Sequence, residues 1–117
     1  MEANELRIGN YIMHHESTLR VTGIDEHYFS HNEIDGCTRD ILYEAKQIEL
    51  TEEWLFKFGF KKLPKENSRE KDKYSKSFVE ISNESNGLWA YQNTTYFFWV
   101  HNLQNLYFAL TGEELTI

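Results

Sequence analysis

The chain has 117 residues, a formal charge of −7, one cysteine, 40% hydrophobic residues and 15% aromatic ones. That length suits one domain with a core that needs no staple, the lone Cys37 excludes an internal disulfide framework, and the start lacks the basic-then-apolar pattern of an export signal. The longest apolar run, Tyr96 to Val100, is far short of the roughly 20 residues a membrane span needs, so a cytoplasmic protein without membrane contact is expected.

Taken in order, Leu6 to Met13 alternates apolar and polar residues until Gly9 interrupts it, which predicts a strand with a bulge or close backbone approach at the glycine. His14 to Ser17 reads as a turn with an exposed histidine pair. Thr18 to Ile24 sets Leu19 and Val21 on one face and Arg20 and Thr22 on the other, a half-buried strand. Further short strands are expected at Tyr28-Phe29-Ser30 and Ile41-Leu42-Tyr43, flanking the turn-rich Asn32 to Gly36. Strands so short and closely spaced suggest a strongly bent antiparallel sheet or an SH3-like barrel.

Thr51 to Gly59 carries the marks of a compact helix. Thr51 can cap it, Glu52 and Glu53 suit the positive end of the dipole, Leu50 can staple against Leu55, and Gly59 can end it. Trp54, Leu55 and Phe58 are expected to face the core. Residues 63–73 hold no apolar side chain after Pro64 and read as a charged flexible loop. Strand-like alternation resumes from Tyr74 to Ser82, Asn86-Gly87 signals a hairpin, and Leu88 to Gln92 and Thr95 to Val100 form two strands joined at Asn93-Thr94. In the last helix Leu103, Leu106, Tyr107 and Leu110 share one face at i, i+3, i+4 and i+7, with Gln104 and Asn105 off it, Asn102 as cap and Gly112 as stop. The expected fold class is α+β: small antiparallel sheets, SH3-like strands first and hairpins later, packed with two short helices in a single domain over 1–117.

Little of this is chemistry. His27 and His31, with Glu33, Asp35 and Cys37 nearby, can be drawn as a ligand cluster but match no metal-ligand spacing. Cys37 lies in an acidic neighbourhood, the wrong field for a thiolate, and the six glycines are scattered singly rather than gathered into a phosphate cradle. Glu52-Glu53 and Glu113-Glu114 read as a helix-start pair and a polar tail, and His101 as a helix-start or packing residue. The reading is therefore a protein that is not an enzyme, with no catalytic residue, cofactor or metal expected.

Charge is the stronger signal. Residues 61 to 76 hold seven basic side chains (Lys61, Lys62, Lys65, Arg69, Lys71, Lys73 and Lys76) against three acidic ones, which leaves −11 on the rest of the chain. A division of that kind favours charged partners and oriented encounter, and these seven are the candidate partner-binding residues. The bland alternative is a solvated loop. Tyr74, Trp89, Tyr91, Tyr96 and Trp99 can offer stacking faces to nucleic acid, although aromatics at alternating strand positions are more often core. The acidic remainder would repel a phosphate backbone, and could instead occupy a basic groove on another protein.

Three segments, Asn4 to Ile12, Leu50 to Phe60 and His101 to Leu115, resemble small proteins encoded by phages and integrated elements of Bacteroidetes. The resemblance implies a genetic setting and carries no catalytic residues with it. In that setting a small acidic protein is expected to be a non-enzymatic accessory protein of the host cytosol. Its expected action is to bind and inhibit a host defence component, as an anti-CRISPR protein on a Cas effector nuclease, an RNA-targeting type VI effector being one candidate, or on its guide RNA. Direct RNA contact would run through the basic loop. The alternative is a structural or regulatory phage module that self-associates through its aromatic surface. A third reading is a nucleotide- or metal-dependent enzyme around His27, His31 and Cys37.

Overall fold

The computed structural model describes residues 5–33, 36–41 and 45–117, with backbone alone for 32, 33 and 36–41. Two antiparallel sheets and two helices make up the described chain, an α+β fold. The first sheet is a meander of β1 (Tyr11–His14), β2 (Ser17–Ile24), β3 (Tyr28–Glu33) and β4 (Gly36–Ile41), in spatial order β1-β2-β3-β4. After α1 (Glu52–Lys57) come β5 (Lys61–Lys62), β6 (Lys73–Lys76), β7 (Val79–Asn83), β8 (Trp89–Tyr91) and β9 (Thr95–Phe97), likewise neighbours in chain order, and then α2 (Val100–Thr111). The body is elongated, 48 × 25 × 23 Å.

β1 is the wall the two sheets share. Its side chains alternate, so Tyr11 and Met13 join the larger core, with Leu55, Phe58, Trp89, Leu103 and Tyr107, while Ile12 joins the smaller one with Leu19, Val21 and Phe29. A strand buried on both sides shows a continuous apolar run, and Tyr11-Ile12-Met13 is that run. The strand starts at Tyr11, not at Leu6 as the alternation suggests, because Gly9 turns the chain at φ +100°. A side chain at Gly9 would meet the Glu114 carboxylate at 3.2 Å, so the close approach expected there is real. His15 and Glu16, at φ 47° and 65°, make the tight turn into β2.

Residues 45–50 stitch the sheets together by covering one edge of each. Lys46 exchanges both backbone hydrogen bonds with Met13, at 2.7 and 2.9 Å, so β1's open edge is taken by this connection rather than by β4. Two bonds, Leu50 N–H to Phe98 O at 2.9 Å and Val100 N–H to Ile48 O at 2.8 Å, then seal the edge beyond β9.

Helix α1 obeys its local signals. The Thr51 hydroxyl accepts from Trp54 N–H, Gly59 follows the C-cap Phe58 at φ +89°, and Leu50, Leu55 and Phe58 are buried; Trp54 is only half-buried, stacked between Tyr11 and Phe58. Helix α2 departs from expectation at its start. It begins at Val100 behind Trp99, which supplies no side-chain cap, so Asn102 lies inside the helix. Its buried face is accordingly Val100, Leu103, Gln104 and Tyr107, with His101 beside it, while Leu106 and Leu110 are half-buried at the margin. Gln104, expected to face away, is fully buried. Its Nε2 donates to the carbonyls of Gly9 (2.9 Å) and Leu115 (3.1 Å) and its Oε1 accepts from Tyr11 N–H (2.8 Å). Asn105 Oδ1 accepts from Asn10 Nδ2 at 2.8 Å and Arg7 Nε at 3.2 Å, and the Arg7 guanidinium forks onto Glu114. This polar clasp docks the start and the end of the chain onto α2.

Other differences are local. The stretch from Tyr74 to Ser82 is two strands, turned at Ser77 (φ 54°) and Phe78. The turn after β8 centres on Gln92 and Asn93, both at positive φ, rather than on Asn93-Thr94. Asn32 and Glu33 prolong β3 and β4 starts at Gly36, so both ends of the turn expected over 32–36 are strand; Ile34, Asp35, Leu42 and Tyr43 lie outside the described residues. Residues 63–72 carry no strand or helix of their own.

Candidate functional site

The seven basic residues sort by the face each strand gives them. Tyr74 is buried at 2% exposure, so Lys62, its partner across β5 and β6, falls on the side of α1, while Lys61, Lys73 and Ser75 fall on the outer face of the sheet. On the α1 side Lys62 Nζ sits 3.4 Å from Glu52 and 3.8 Å from Asp72, and Lys65 Nζ lies 2.9 Å from Asp72. Lys71 Nζ donates to Glu84 at 2.6 Å. Lys76 Nζ donates to the Phe58 carbonyl at 2.6 Å and lies 5.6 Å from the centre of the Tyr107 ring, a cation placed on the last turn of α1. The side chains of Lys61, Arg69 and Lys73 make no ion pair among the described residues.

Electrostatics follows this sorting. The Tyr74 hydroxyl donates to Glu52 and holds that carboxyl below its ordinary value; Lys65 does the same for Asp72, and Lys71 for Glu84. Burial, and then the Glu52 carboxylate, pushes the Tyr74 phenol up. The segment that looks like a +4 patch in sequence therefore has three of its seven cations, Lys62, Lys65 and Lys71, in ion pairs and a fourth, Lys76, on a carbonyl. Its loop also closes on itself, with Glu70 accepting from Glu66 N–H and Asn67 Nδ2. An open depression of about 470 Å³ lies over it, with Lys65, Arg69 and Lys71 facing Glu70, Asp72 and Glu84.

Arg69 stays on this loop without an ion pair among the described residues, while the unpaired lysines Lys61 and Lys73 stand elsewhere. Across the outer face of the second sheet run the rows Lys61–Ser75–Glu80 and Lys73–Ser82–Ala90–Tyr96. Tyr96 is 53% exposed and Phe98, two residues on along the same face, is 43% exposed. The Tyr96 hydroxyl donates to the Asn93 carbonyl at 3.2 Å, which steadies the ring. Next to Ala90, the cross-strand neighbour of Tyr96 and itself only 1% exposed, a small hollow of about 100 Å³ is lined by Ser82, Lys73, Glu80, Gln92 and Asn93. Of the aromatics expected to offer stacking faces, Tyr74 and Trp89 are core, with Trp89 Nε1 bonded to Leu50 O at 3.0 Å; Tyr91 and Trp99 are half-buried, and Tyr96 alone of the five is exposed.

The histidines do not converge on a site. His14, expected to be exposed, is buried at 8% with its ring against Phe29; His31, drawn with the ligand cluster, lies on β3 at 1% exposure with its ring centre 5.5 Å from that of the same phenylalanine. His27 is exposed at the β2–β3 turn, and Asp35 lies outside the described residues. Among the described residues no three His, Cys, Asp or Glu side chains gather as a metal would require. His101 is buried at 2% in the first turn of α2, and desolvation lowers its pKa from the ordinary value of 6.5. Among the described residues no helix is long and apolar enough to cross a membrane.

Fold and surface together define the class: an α+β protein of two antiparallel sheets joined at β1, with an ion-paired hairpin loop on one side of the second sheet and a lysine- and tyrosine-bearing face on the other. Comparison with protein-family models, with curated proteins and with solved structures finds no match.

Proposed function

We propose that the chain is a non-catalytic accessory protein of phage type that acts by binding, as an inhibitor of a host defence component: an anti-CRISPR protein directed at a Cas effector ribonucleoprotein, through its nuclease or its guide RNA. The observation that supports this most is the surface of the second sheet. Lys61 and Lys73, without an ion pair among the described residues, share a face with exposed Tyr96 and Phe98, a mixture of cations and aromatics suited to recognition rather than to chemistry. The acidic remainder of the chain, −11 outside residues 61–76, would orient the approach to a positively charged effector surface. The test is affinity capture from a host lysate with RNA retained, followed by effector nuclease assays with purified components. A defence effector recovered and slowed supports the reading; capture without any effector, together with unimpaired nucleases, ends it. The alternative, a self-associating phage module, draws on Phe78 and Phe56, exposed at 67% and 49%. Light scattering that gives a stable oligomer with no captured host partner would favour it.

A further inference from the structure

We propose that the outer face of the second sheet is a binding site for single-stranded nucleic acid, with one base stacked on Tyr96 beside the hollow at Ser82 and phosphates met by Lys61 and Lys73. The inference deepens the preceding reading and rests on it only for where such a strand would come from. Four features carry it. The Tyr96 ring is half exposed and anchored by its own hydroxyl, so it offers a stacking face without a large ordering cost. Beside it the hollow of about 100 Å³ exists because Ala90 and Ser82 are small where neighbouring positions carry long side chains. That is room for several waters, enough for the edge of one flat ring.

The rim of that hollow has the right chemistry. Gln92 and Asn93 offer amide donors and acceptors, and Glu80 can accept from an exocyclic amino group of a base. Charge then selects the polymer. Lys61 and Lys73 are the two lysines of the segment that the protein leaves unpaired among the described residues, and both stand on this face. A single strand reaches them with few phosphates. A duplex would bring twice the charge density against a chain that is acidic elsewhere.

The purified chain is titrated, by fluorescence anisotropy, into a labelled oligouridylate of twelve nucleotides, with oligothymidylate alongside to separate RNA from DNA. Binding should weaken steeply with salt. In Lys61→Ser/Lys73→Ser the log–log salt slope should fall by about 1.4, roughly 0.7 for each single-strand phosphate that no longer meets a lysine. Tyr96→Ala should weaken binding about tenfold while Tyr96→Phe, which keeps the ring, should not. Tyr96 is exposed, so circular dichroism should show both variants folded. The site is overturned by any of four results: no binding at low salt, equal affinity for Tyr96→Ala, binding abolished by Lys65→Ser/Lys71→Ser instead, or equal binding of an oligoglutamate. Because no effector is present, effector inhibition without oligonucleotide binding would sink only this site, and oligonucleotide binding without inhibition only the preceding reading.

Discussion

The clasp at α2 and the hairpin loop beyond β5 are both polar networks that tie distant residues together, yet they differ in what surrounds them. In the clasp, Gln104 and Asn10 are fully buried, and neutral amides satisfy backbone groups that no water can reach. In the hairpin loop, Lys65, Lys71 and Asp72 keep about a third to a half of their side chains open to solvent, although Glu84 is only 12% exposed. A missing partner in the dry network leaves an orphaned donor or acceptor, whereas a missing partner in the wet one is replaced by water. The contrast also sorts three segments of the chain. Residues 5–12 and 101–115 meet in the clasp, and residues 50–60 supply α1, against which Tyr11 packs through Trp54 and Phe58. Those segments close the core, while Lys61, Lys73 and Tyr96 lie outside them.

The sharpest way to break this comparison is Gln104→Leu, which keeps the volume and removes three hydrogen bonds. It should cost about 3–5 kcal/mol in urea denaturation, since each orphaned buried group costs about 1–3 kcal/mol. A loss below about 1 kcal/mol would mean that water already reaches the clasp. Arg7→Ala comes next, at about 1–2 kcal/mol, because the fork on Glu114 and the guanidinium 4.1 Å from the Phe108 ring centre are only half-buried.

The third test uses pH. Burial lowers the pKa of His101 in the fold, so below the ordinary value of 6.5 the unfolded chain binds more protons than the native one. Stability should therefore be full above that value and decline as pH falls through it, until the folded histidine itself titrates. Helix α2 has no acid in its first turn to welcome the cation, and the Glu5 carboxylate, which favours it, is outweighed by burial. His101→Phe should flatten the decline between about pH 7 and 5; an unchanged profile would put the acid sensitivity elsewhere. Smallest of all, Lys65→Ser/Lys71→Ser should shift stability by no more than about 1 kcal/mol, since both lysines are solvent-accessible and water can take their place. A larger loss would show that the loop's pairs carry part of the fold.

Much of the architecture is legible in local pattern. Thr51, Leu50 and Gly59 announce α1, Leu19 and Val21 announce β2, and Gly112 at φ +76° ends α2 as its position suggests. Pattern fails where burial runs against hydropathy. His14, His31, His101 and Gln104 are buried although polar, so the apolar spacing sets the α2 face too far along, toward Leu106 and Leu110. The hairpin at Ser77-Phe78 escapes the pattern because the pair carries none of the strong turn signals of Asn-Gly or Asp-Gly. A signal for the clasp is present in the amides of Asn10, Gln104 and Asn105, but an amide far from its partner in sequence looks like a surface residue.

For the candidate site the division is similar. The sequence by itself determined that basic side chains crowd into residues 61–76 and that aromatics follow them, since composition and order are local facts. Which lysines stay free was decided only by tertiary structure. Register placed Lys62 beside Glu52 and Asp72, and Lys61 and Lys73 on the opposite face with Tyr96. A one-residue change of pairing would exchange those faces. The charge of a segment is written in its letters, but its availability depends on carboxylates brought from elsewhere by the fold.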